Sequence, residues 1–155
     1  IGRSAGRSSV AAAAYRSGTE LYDDRTGLTH DYRRKQGVDD SFIMAPDNVP
    51  DWATQREELW NKVEEIEKRC DAQLARDLTL ALPSELSPDE RKKMLVTYVT
   101  EQFVSRGMVA DVAMHAPDRD GDNRGEQRPR HQGPDAEVLI GEQRRPLRIA
   151  KKLPK

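Results

Sequence analysis

The stretch ARDLTLALP, residues 75–83, places Leu78, Leu80 and Leu82 at every second position and stops at Pro83. That spacing sends one side of an extended chain into a core. Four residues later the period changes. In SPDERKKMLVTYVTEQFVSRG, residues 87–107, Ser87 reads as an N-cap, Pro88 occupies the first helical position and Glu90 completes a capping box. Leu95, Tyr98, Val99, Gln102 and Phe103 then recur at helical spacing, and Gly107 ends the run. MVADVAMHA returns to an extended pattern, with Val109, Val112 and Met114 among its apolar positions. A strand over 77–82, a helix over 88–106 and a strand over 108–115 restrict the chain to helices laid on a sheet, α/β or α+β.

The flanking segments fit that frame. Residues 8–22 read as a helix capped by Ser8 or Ser9, with four alanines of high helix propensity. Its small face includes Ala11, Ala14, Tyr15 and Gly18. Residues 52–70 predict a second helix with Trp52, Leu59, Val63, Ile66 and Cys70 in one buried stripe. Between them lies an extended connection with turns, in which Phe42, Ile43 and Met44 predict a brief strand before Pro46. After Pro117 the period collapses into glycine, proline and charge. The expected organisation is therefore one domain over 1–117 and a poorly ordered basic tail over 118–155, with a short strand near 136–140.

A chain of 155 residues has room for one core, and no apolar run approaches a membrane span. Cys70 stands alone, so no internal disulfide framework exists, and a reducing cytoplasm is expected. Charge is unevenly spread. Residues 1–35 hold seven Arg and Lys against four acids, and residues 119–155 hold ten against six, while residues 51–107 hold nine against twelve. Basic ends around an acidic middle suit either a phosphate-facing surface or ordinary solvated charge.

The sequence contains no GxxxxGK loop, no CxxC and no HExxH. GRSAGRSS precedes a helix and could offer backbone N–H groups to a phosphate, or serve as a plain flexible segment. Tyr15 either fills a gap on the alanine face or presents a phenol for chemistry. His115 ends a predicted strand, where a ligand role competes with a satisfied core role, and His131 sits in RPRHQGP without periodic context. Asp77 begins the neighbouring strand; it could fix the tautomer of a metal-binding histidine or pair with Arg76.

Three blocks taken together, AAAAYRSG, LWNKVEEIEKRCDAQLARDLTLALPSEL and FVSRGMVADVAMH, resemble the N-terminal relaxase domain of the MobA/MobL family, including TraA-type conjugative relaxases. The similarity runs from about Gly2 to Asn123. It implies an α+β fold with an antiparallel-rich sheet and helices packed on it, incomplete at its start. It also implies a strand transferase that nicks single-stranded DNA at an origin of transfer, with relaxosome accessory proteins as partners. On that resemblance Tyr15 is the nucleophile, forming a 5′-phosphotyrosyl bond, and a divalent ion (Mg or Mn) steadies the phosphate. A phenol with a pKa near ~10 needs such help at neutral pH. The family's ion sits on one strand histidine and a His-x-His pair on the neighbouring strand. His115 matches the first, Asp77 matches the acid behind the site, and Arg3, Arg7 and Arg16 become candidates for DNA phosphates. No His-x-His pair follows Asn123, and His131 is the histidine available there. The alternative is therefore a catalytically inactive relaxase remnant with weak DNA binding.

Overall fold

A computed structural model describes residues 1–116 and 133–141. The chain runs α1 (Ser9–Ser17), β1 (Glu20–Asp23), β2 (Leu28–Asp31), β3 (Val38–Met44), α2 (Arg56–Ile66), β4 (Ala75–Ala81), α3 (Pro88–Gln102), β5 (Ala110–His115) and β6 (Asp135–Gly141). The fold is α+β. Four strands form an antiparallel sheet in the order β3-β5-β6-β4, and β1 and β2 make a separate hairpin.

Alternation along the strands gives this sheet two different sides. Ala110, Val112 and Met114 of β5 share one side with Ala136, Val138 and Ile140 of β6 and with Leu78 and Leu80 of β4, and α3 covers it through Leu95 and Val99. Positions one residue out of step, among them Ala75, Leu139 and Ile43, join the core under α1 and α2, where Val10, Ala13, Ala14, Leu59, Trp60 and Val63 are packed. Polar positions on this second side, which the Tyr15 helix helps to cover, include Asp77, Asp111, His115, Asp135 and Glu137.

The predicted helix over 8–22 stops earlier. Gly18 takes a left-handed φ of 64°, its N–H returns to the Ala14 carbonyl, and the chain then turns into β1. Hairpin pairing with β2 outweighs the helix propensity of Glu20 and Leu21. The helix expected over 52–70 is also shorter. Asp51–Thr54 forms a 3₁₀ turn, Gln55 is extended, and α2 ends at Ile66 because EKRCD offers nothing apolar to bury. Its buried face is Leu59, Trp60, Val63 and Glu64; Ile66 and Cys70 are exposed. On α3 the capping box of Ser87 and Glu90 is formed in full, whereas Tyr98, expected in the stripe, is exposed. The brief strand expected at 42–44 extends over Val38–Met44, paired along β5.

Candidate nucleic-acid site around Tyr15

Helix α1 is held at its start by carboxylates from other elements. Ser8 caps it, accepting from Ala11 N–H at 3.2 Å, and donates its hydroxyl to Asp23 Oδ2 at 2.6 Å. Glu64 of α2, with its side chain almost wholly buried, accepts from the Ser9 N–H at 2.8 Å and the Ser9 hydroxyl at 2.9 Å. Arg3 and Arg25 balance its charge from 3.0 and 3.1 Å. A carboxylate at a helix N-terminus satisfies donors that have no partner inside the helix and complements the helix dipole. The alanine face then lies against α2 and the sheet, which fixes where the last turn, bearing Tyr15 and Arg16, emerges.

Tyr15 is half-buried. Its ring meets Tyr32 edge to face, with centroids 5.3 Å apart, and the Lys35 ammonium lies 3.9 Å from its centroid. Lys35 also donates to the Tyr15 carbonyl at 2.9 Å, so one cation grips both ring and backbone. The next residue faces the sheet. Arg16 binds Asp77 of β4 through Nε and Nη2, and its Nε lies 3.2 Å from Glu137 Oε2 of β6. Its Nη1 reaches back to the Ala12 carbonyl at 3.1 Å. The Arg16 carbonyl is 3.0 Å from His115 Nε2, while His115 Nδ1 is 3.2 Å from Asp135 Oδ1. A carbonyl only accepts, so Nε2 carries the proton in that contact.

The structure thus brings Tyr15, Arg16, Asp77 and His115 together. Arg3 is drawn away to Glu64, Arg7 is exposed ahead of the helix, and His131 lies outside the described residues. The tail boundary at 117–118 also falls there, although residues 135–141 form a strand inside the sheet.

Two participants escaped the sequence reading. Strand β6 neighbours β5, and opposite His115 and Ala113 it places Asp135 and Glu137. The family resemblance calls for His-x-His on a strand beside the one that ends in His115; β6 lies beside it and carries two acids at alternate positions. Their spacing in GPDAEVLIG, two acids at alternate positions before an apolar run, was the available signal for a shared face.

The described residues do not fit a metal of the expected kind. Coordination by His115 needs a ring lone pair, but Nε2 is committed to the Arg16 carbonyl and Nδ1 faces Asp135. Among the described residues, no group of three or more His, Cys, Asp or Glu side chains is arranged to hold a metal ion.

A family profile described as "MobA/MobL family" matches residues 7–142. The chain belongs to the MobA/MobL family. Among similar proteins, a mobilization protein MobL of Acidithiobacillus ferridurans is 48% identical over 117 residues, covering 76% of this chain and 30% of that protein. A conjugal transfer protein TraA of Rhizobium radiobacter is 41% identical over 125 residues, covering 74% of this chain and 11% of TraA. The chain therefore spans less than a third of either curated relative. A solved structure concerning the molecular basis of vancomycin resistance transfer in Staphylococcus aureus shares the fold with a TM-score of 0.76 and 27% identity, covering 91% of this chain and 66% of that one. Among the described residues of this MobA/MobL chain, no helix is long and apolar enough to cross a membrane.

Proposed function

We propose that this chain is the DNA-handling relaxase domain of a mobilisation protein, acting on single-stranded DNA at an origin of transfer. Tyr15 Oη attacks the scissile phosphorus, a bond forms between Oη and phosphorus, and the bond to the 3′ oxygen breaks. The phenolic proton leaves with the attack and the 3′ oxygen leaves as a hydroxyl, so the 5′ end stays on the enzyme. The observation that carries this reading is the half-buried Tyr15, gripped by Tyr32 and Lys35 on a helix end that His115 ties to the sheet. Fixing the helix end orients the nucleophile in advance, which is a large part of what a displacement at phosphorus needs. Exposed Arg7 is the candidate phosphate contact, because Arg3 and Arg16 already face carboxylates.

A second reading follows from the acids on β6: the domain binds single strands without cutting them. Two carboxylates, Asp77 and Glu137, face the Arg16 guanidinium and a third, Asp135, faces His115, and that balance opposes an incoming phosphate. Incubation with a labelled origin oligonucleotide, with and without Mg²⁺ or Mn²⁺, separates the two readings. A covalent adduct lost in Tyr15→Phe supports strand transfer. Salt-sensitive binding without adduct supports the second reading. An adduct retained in Tyr15→Phe but lost in Tyr22→Phe or Tyr32→Phe would move the nucleophile elsewhere.

A further inference from the structure

We infer that Arg16 is the resident cation of this site, taking up the contacts that the family resemblance would give to a divalent ion. The inference rests on the relaxase reading for the location of the site, and on this chain's own residues for its chemistry. A metal there would need His115 and the two β6 positions level with it. Arg16 occupies two of those three by itself: its carbonyl accepts from His115 Nε2 at 3.0 Å, and its guanidinium pairs by charge with Glu137, Nε to Oε2 at 3.2 Å. Asp135 takes the remaining ring nitrogen at 3.2 Å.

Charge explains why the exchange is self-consistent. A neutral imidazole at position 137 would need no counter-ion, whereas the Glu137 carboxylate is 4% exposed and a buried carboxylate must be paired. Arg16 supplies that charge and spans to Asp77, so α1 is fastened to both β4 and β6 at the residue after Tyr15. The planar guanidinium donates to Asp77 through Nε and Nη2, and its charge lies against Glu137 as an ion pair rather than through a hydrogen bond to Oε2. A divalent ion entering here would have to displace this guanidinium from both acids and break the His115 contact. It would then sit beside a like charge that its own tether keeps close.

The test reads metal content and melting temperature without DNA, so its outcome is independent of strand transfer. The whole chain, stripped with EDTA, is dialysed against Mn²⁺ and, separately, Zn²⁺, and the retained metal is measured per chain. The wild-type chain is expected to retain no stoichiometric ion and to melt at the same temperature with EDTA or Mn²⁺. Arg16→Ala is expected to melt several degrees lower in both buffers, since Glu137 loses the guanidinium charge. Asp135→His with Glu137→His, which releases Arg16 and restores imidazoles on β6, is expected to retain about one ion per chain. Retention of one ion by the wild-type chain, abolished in His115→Ala, would overturn the inference. Unchanged melting of Arg16→Ala would overturn it equally, and neither result requires the double variant to fold.

Discussion

Glu64 offers the most demanding test of how the Tyr15 helix is positioned. Its side chain is 2% exposed and gathers four donors, the Ser9 N–H, the Ser9 hydroxyl, Arg3 and Arg25. Glu64→Ala removes the shared acceptor and leaves Arg3, itself largely covered, facing a cavity. Breaking one side of a buried ion pair costs about 3–5 kcal/mol. For a domain of this size that is a fall in Tm of roughly 6–20 °C. Glu64→Gln keeps one oxygen for Ser9 but turns amide hydrogens toward the arginines, for an expected loss of about 1–3 kcal/mol. Urea unfolding followed by tryptophan fluorescence suits the measurement, because Trp60 is buried on the same helix. A loss below about 1 kcal/mol for Glu64→Ala, the range of an exposed surface pair, would refute the claim that this carboxylate anchors the helix.

Two further outcomes follow from the same region. Asp23 is fully buried, and burial alone would raise its pKa, but the Ser8 hydroxyl and the N–H groups of Thr26 and Arg25 outweigh that and hold it below its ordinary 3.8. Its folded pKa is depressed, so its stabilisation is present above that ordinary value and is lost as pH falls through the lower folded value; acid unfolding of Asp23→Asn should be flatter in that window. Gly18→Ala forces an alanine to a φ of 64° and places its Cβ 3.3 Å from Val38 Cγ2, so denaturant melts should show a loss of about 1–2 kcal/mol.

Local chemistry was the legible part of the chain. Ser87, Pro88 and Glu90 announce the start of α3 because all three act within one turn, and the leucines of β4 announce their shared side because strand alternation is intrinsic. Gly18 carried the true end of α1, but Glu20 and Leu21 look equally helical until β2 pairs with them. The stripe through Ile66 and Cys70 failed for a related reason: periodicity marks which positions could face a core, not where the core ends. In the site, Tyr15, His115 and Asp77 stood out in familiar contexts. The contact of His115 with the Arg16 carbonyl spans 99 positions, and no local pattern encodes it. Asp135 and Glu137 were hidden by their setting, since a segment following a glycine- and proline-rich stretch reads as a tail until its sheet neighbours are known.

The position of β6 bears on how the protein is made. Among the described residues, the strand latest in the sequence lies between β5 and β4, and β6 is the strand beside β4 in the sheet. During synthesis, β4 leaves the ribosome more than fifty residues ahead of the strand that completes it. For that interval the edges of β4 and β5 that β6 will cover lack this partner, the kind of surface that nascent chains use for mistaken pairing and that chaperones shield. The acids that meet Arg16 and His115 arrive with β6, so the Tyr15 helix gains these contacts only once that strand has paired.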